Sequence, residues 1–158
     1  MQEVGGVLDG ILAVAHPEQY AAAREVFQQL YRGPDDSQHR KIADEWPSVL
    51  HAVHIISNRE TIYHRDTNGR PEWYDLLSTV GSYGEQAVLS MRTLGVSVPY
   101  DSGSVVLLCS RLVMHGVPEV APDRVCYAWL MREDVISALG IQAPGWAQGG
   151  MGAAKDAS

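Results

Sequence analysis

From Val49 to about residue 131 the chain is broken into short apolar runs, each closed within a few residues by Gly, Pro, Asn or Asp. No other feature restricts the fold as much. Runs of four to eight residues with turn chemistry between them form strands, because a helix needs a longer uninterrupted 3.6-residue period. The pattern predicts strands over residues 50–56, 61–64, 76–80, 87–91, 96–100, 105–109, 112–115 and 125–131. Asp101-Ser102-Gly103 reads as a tight turn between two of them. About eight short strands at this spacing predict an antiparallel sandwich, jelly roll or barrel.

The segment in front of Val49 has a different period. Tyr20, Ala23, Phe27, Leu30 and Tyr31 recur at helical spacing after Pro17, a residue suited to a first helical turn, and Gly33 is a plausible stop. A shorter helix is expected from Asp36 to about Trp46, ended by Pro47, and a last helical turn or two over residues 133–139. The chain is thus mainly β with flanking helices packed on one sheet. Residues 1–146 are expected to form a single domain, and the Gly/Ala-rich stretch 147–158 a disordered tail.

Composition narrows the class of partner. The 158 residues carry a formal charge of −7, whereas autonomous nucleic-acid binders are usually basic. Arg59, Arg65, Arg70, Arg92, Arg111, Arg124 and Arg132 each stand alone in sequence. Only a fold that gathers them onto one face would supply a phosphate-binding surface. No apolar stretch is long enough to span a membrane, and the start Met1-Gln2-Glu3-Val4 does not read as a secretory signal. Cys109 and Cys126 lie in apolar runs and read as buried reduced thiols, so an intracellular home is expected.

The chemistry begins at His64-Arg65-Asp66. On a strand, residues two apart share a face, so an imidazole and a carboxylate would point the same way. They make two legs of the 2-His-1-carboxylate triad by which non-haem Fe(II) oxygenases hold iron, and His115, at the end of a distant apolar run, is the candidate third leg. Each residue alone has a plainer reading: an HxD triplet is most often a turn or a satisfied strand pair, and a lone strand histidine most often a hydrogen-bonded core residue.

Arg124 opens the strand 124–131. Alternation places Val125, Tyr127, Trp129 and Met131 on a bulky face suited to core packing, and Arg124, Cys126 and Ala128 on a small one with room for a ligand. An inward arginine is costly unless paired. A dicarboxylate would satisfy it, and so would Asp123 or Asp101. His51 and His54 fall on opposite faces of one strand, where core or surface roles outweigh ligation.

Longer strings resemble a known family. Ser57-Asn58-Arg59-Glu60-Thr61, His64-Arg65-Asp66, Arg70-Pro71-Glu72-Trp73-Tyr74-Asp75, Tyr100-Asp101-Ser102-Gly103-Ser104, Met114-His115-Gly116-Val117 and Asp123-Arg124-Val125-Cys126-Tyr127-Ala128 are similar to the fungal branch of the TET/JBP dioxygenases, over about residues 45 to 140. The resemblance implies a double-stranded β-helix (a cupin-like jelly roll), iron at His64, Asp66 and His115, and 2-oxoglutarate bound through Arg124 with Arg59 nearby. It also implies dioxygen as co-substrate and, as reaction, oxidation of a methyl group on a DNA base of the 5-methylcytosine type or N6-methyladenine. A nuclear location follows from such a substrate. Gly69 stands where some relatives carry a base-contacting polar residue, Arg132 could face the substrate mouth or pair with Glu133 or Asp134, and Trp73-Tyr74 could stack on a flipped base or pack under a loop. Two other readings remain: an oxygenase of the same fold acting on a protein or small molecule, and a degenerate metal-binding module.

Overall fold

The computed structural model of the protein describes residues 2–33, 38–67, 69–83, 87–118 and 123–148. Three helices lead: α1 (Gln2–Ala15), α2 (Pro17–Tyr31) and α3 (Gln38–Glu45). His16 alone separates the first two. Pro17 occupies the first turn of α2, where its missing N–H costs nothing, and the buried His16 imidazole caps the helix by accepting from the Gln19 N–H at 3.2 Å. The helical reading of the front therefore holds, with a break at residue 16.

Among the described residues eight strands follow: β1 (Ala52–Ser57), β2 (Thr61–His64), β3 (Asp75–Gly81), β4 (Val88–Met91), β5 (Val96–Pro99), β6 (Val105–Leu108), β7 (His115–Val117) and β8 (Arg124–Leu130). A short helix, α4 (Glu133–Ala138), comes after them. The strands form two four-stranded sheets, ordered β1-β8-β3-β6 and β2-β7-β4-β5, with every pairing antiparallel. Together they make a mostly β sandwich of the jelly-roll kind with helices on one side.

Strand alternation sorts side chains between two cores. Leu76 and Trp129 turn outward from the first sheet and pack with Leu8, Leu12, Ala23 and Val26 of the helices. Leu77 and Cys126 turn the other way and meet Leu89 and Val117 of the second sheet. Each fully buried leucine contributes roughly 1.5–3 kcal/mol from burial alone. A polar pin fixes the helices in register. The buried Gln19 side chain donates to Tyr74 O at 2.8 Å and accepts from Tyr74 N at 2.9 Å.

Two strand expectations are corrected. The run 112–115 is not a strand. Both Leu112 N and Val113 N bond to Cys109 O, at 2.9 and 3.0 Å, which closes a tight turn, and β7 begins only at His115. Likewise β2 ends at His64, so Asp66 lies in the following loop rather than on the strand. Asp36 and residues 149–158 of the expected tail lie outside the described residues. Among the described residues no helix is long and apolar enough to cross a membrane.

Candidate metal centre

Antiparallel pairing sets His64, the last residue of β2, opposite His115, the first of β7. The two rings stand 4.5 Å apart between centroids. Asp66 is held two residues past the strand by its N–H, which donates to Ser110 O at 3.1 Å. One ligand atom from each of His64, Asp66 and His115 lies within 4.8 Å of the other two.

Both imidazoles are oriented alike. His64 donates Nδ1–H to Ile62 O at 2.8 Å, and His115 donates Nδ1–H to Val113 O at 2.9 Å. A carbonyl can only accept, so in the neutral rings each Nε2 keeps its lone pair, as a metal ligand must. His64 Nε2 sits 3.3 Å from Asp66 Oδ1. Two acceptors at that distance need a cation between or beside them, a proton or a metal ion. Burial pushes the His115 pKa below the ordinary histidine value, only partly offset by the bond to Val113, and this favours the neutral, ligating form. The donor set fits iron of the 2-His-1-carboxylate class.

Between the sheets, behind these three side chains, is a cavity of about 70 Å³ whose lining includes Thr61, Leu77, Arg124, Cys126 and Ala128. By the ~10–15 Å³ that one water requires, it has room for several waters or a compact small molecule. Arg124 is 1 % exposed, and its Nε and Nη1 have no hydrogen-bond partner among the described residues. No carboxylate pairs with it among the described residues, so Asp101 and Asp123 do not fill the role open to them. Its guanidinium stacks on Tyr100, Cζ 4.9 Å from the ring centroid. Its backbone is bracketed by Asn58, which accepts from Arg124 N at 2.8 Å and donates to Arg124 O at 2.9 Å. A buried guanidinium with two orphaned donors suits a carboxylate-bearing ligand.

Under the metal loop lies Asp75, 8 % exposed, which accepts from the Ser110 hydroxyl. Burial lifts its pKa to about 7, and the charge of Asp66 adds to the rise. Ser110 therefore joins Asp75 to Asp66, hydroxyl toward one and carbonyl toward the other.

The structure thus brings His64, Asp66, His115 and Arg124 to one cavity. Arg59 is elsewhere: it is exposed and lines an adjoining open groove that shares His54, Ile56, Thr61 and His64 with the cavity. Trp73 cannot stack on a base, since it is 2 % exposed and its Nε1 donates to Pro144 O. Arg132 pairs with Asp134 at 2.8 Å. Two contributors are not among the site residues that the sequence predicts, His54 having been given a core or surface role. His54 lines the cavity, which its alternation with Ile56 could have revealed. Tyr100 lies under Arg124, which no local pattern could have revealed. Both cysteines are free.

Comparison with known proteins adds one match. The family model Tet_JBP, described as the oxygenase domain of the 2OGFeDO superfamily, matches residues 1–133. No curated protein matches the chain.

Proposed function

The chain belongs to the Tet_JBP family of oxygenase domains in the 2OGFeDO superfamily and is an Fe(II)- and 2-oxoglutarate-dependent oxidoreductase; on that premise we propose that it oxidises a methyl group carried by a nucleic-acid base. A base of the 5-methylcytosine type in DNA is the first substrate to test, and N6-methyladenine the second. We assign the iron to His64, Asp66 and His115, and the distal carboxylate of 2-oxoglutarate to Arg124. Arg59 would meet the co-substrate only from the groove side. The strings quoted above favour the fungal branch, and the passage of the chain between two sheets favours a double-stranded β-helix of the cupin kind, with residues 1–146 as one domain. A DNA substrate would place the protein in the nucleus.

The observation that carries this reading is Arg124, buried in the same cavity as the triad with two donors unpartnered among the described residues. Bound iron and 2-oxoglutarate supply the activation of dioxygen; the protein supplies orientation. The Nδ1–H bonds of His64 and His115 to the Ile62 and Val113 carbonyls turn each Nε2 toward the metal position. The stacked Arg124 fixes one end of the co-substrate, while Leu77, Leu89 and Ala128 exclude water from its middle. The target base of a duplex would have to leave the stack, at a cost of a few kcal/mol.

The test is succinate release from 2-oxoglutarate by Fe(II)-loaded protein, with and without duplex DNA carrying 5-methylcytosine, followed by nucleoside analysis. Stimulated release with oxidised cytosine supports the whole reading. Turnover that DNA leaves unchanged would retain the oxygenase and redirect the search to a protein or small-molecule substrate, which the charge of −7 favours. No turnover by iron-loaded protein would favour a degenerate metal-binding module.

A further inference from the structure

The pairings of the second sheet place three loops at one end. His64 and Met91, the last residues of β2 and β4, both sit opposite His115, the first residue of β7. Because these pairings are antiparallel, the β2–β3, β4–β5 and β6–β7 connections all leave from the end that carries the metal ligands. Each contributes one exposed arginine close to its root: Arg65, Arg92 and Arg111.

All three are tied to the same short stretch of chain. Arg65 Nε donates to Leu112 O at 2.9 Å, and Arg92 N donates to Met114 O at 2.8 Å. Arg111 Nη1 donates to Thr67 O, one residue past Asp66. Arg92 also lies over the Tyr63 ring, with Cζ 3.6 Å from its centroid. These contacts fix where each guanidinium stands and neutralise none of its charge. Among the described residues, no carboxylate forms an ion pair with any of the three.

The other side of the same rim is different. There Arg70 faces Glu72 and Glu133, and Arg132 is paired with Asp134. The arginines that look evenly scattered in sequence are thus sorted by the fold. Those on the first-sheet side are matched by acids, and those on the second-sheet side are left as uncompensated cations on a protein of charge −7. The same second-sheet loops expose Leu94 and Leu112, 58 % and 43 % accessible. Apolar side chains among cations suit a duplex being opened, where they can press against an unstacked base step.

We propose that Arg65, Arg92 and Arg111 form a phosphate-binding rim that seats the backbone of duplex DNA against the second-sheet side of the metal mouth. The proposal rests on the nucleic-acid reading given above and specifies how the substrate lies: its backbone crosses the three loops, and the target base is delivered between the sheets. The acidic half of the rim repels phosphate, so only one face of the mouth is open to the backbone.

Binding of a short fluorescein-labelled DNA duplex to the metal-free protein, followed by anisotropy at several salt concentrations, tests this without any turnover. Each contact with B-DNA contributes about 0.9 to the slope of log affinity against log salt. Arg65→Gln, Arg92→Gln and Arg111→Gln should each lower that slope by about one and weaken binding several-fold at low salt. The triple Gln variant should lose about three units, the triple Lys variant should keep most of the slope, and Arg24→Gln on the helical side should change nothing. Should any Gln variant fail to fold by thermal melting, the Lys series and the remaining single variants decide. Wild-type slope in the triple Gln protein would overturn the rim and leave the nucleic-acid reading standing. Absence of duplex binding by wild-type protein at low salt would overturn both.

Discussion

Arg124 and Tyr100 are stacked across the interior, guanidinium carbon 4.9 Å from ring centroid, with both residues 1 % exposed. The ring lies under the cation, so the two orphaned donors, Nε and Nη1, are not used up in holding the side chain. Tyr100 is itself fixed: Tyr83 Oη donates to its carbonyl at 2.7 Å, and its own hydroxyl lies 3.4 Å from Cys126 Sγ.

Arg124→Ala should therefore raise the 2-oxoglutarate concentration for half-maximal turnover by tenfold or more, about 1.4 kcal/mol for each factor of ten. Tyr100→Phe keeps the ring and should change the requirement little. Tyr100→Leu removes the stacking, worth about 0.5–2 kcal/mol, and should raise the requirement roughly 2- to 30-fold. Titration of 2-oxoglutarate against succinate release reads all three. An unchanged requirement in Arg124→Ala would move the co-substrate elsewhere.

The metal assignment predicts a loss of binding without a loss of fold. His64 and Asp66 have side chains 36 % and 42 % exposed, so truncating either should move stability by well under 1 kcal/mol. His64→Ala and Asp66→Ala should abolish stoichiometric Fe(II) uptake and the thermal stabilisation that wild-type protein gains from the metal, about 2.7 kcal/mol at a hundredfold excess over Kd. Either variant retaining both properties would dismiss its residue as a ligand.

Gly116 tests how strictly the β2–β7 spacing sets the ligands. A Cβ there would meet Thr61 O at 2.7 Å and the Tyr63 ring at 3.2 Å. Gly116→Ala should push β2 away from β7, cost about 1–3 kcal/mol, and weaken metal binding because His64 ends the displaced strand and Asp66 follows it in the next loop. Thermal melting and metal titration measure the two effects separately. Lost stability with unchanged metal affinity would mean that the ligand loop adjusts on its own.

The change of period near Val49, the turn at residues 101–103 and the two faces of β8 were legible because they are local: each depends on neighbours a few residues apart. The limits of that legibility are equally physical. Leu112 and Val113 continue an apolar run into His115, and nothing in their chemistry announces the turn that Cys109 O closes. Asp66 reaches the ligand cluster from a loop, held by Ser110, so the shared-face argument on a strand was the wrong route to its place. Tyr100 meets Arg124, and Arg65, Arg92 and Arg111 meet one another's loops, only through strand order, which a single sequence does not display.

Asp75 gives a prediction with a defined pH sense. Its pKa is raised by burial from 3.8 to about 7, so the folded state holds a proton that the unfolded chain releases near pH 4. Sites of this kind favour the folded state fully below pH 4 and lose that contribution as pH rises to 7, by up to about 1.4 kcal/mol for each pH step of one. Asp75→Asn cannot ionise, and its carbonyl can still accept from the Ser110 hydroxyl. In metal-free protein the variant should match wild type near pH 4 and become progressively more stable than it toward pH 7, by at most about 4 kcal/mol, with no further change above. Denaturant unfolding at several pH values measures the difference directly, so other titrating groups cancel. A difference that stays constant with pH would mean that Asp75 is already ionised in the folded protein, and that Ser110 is held beneath the metal loop by a charge rather than by a neutral acid.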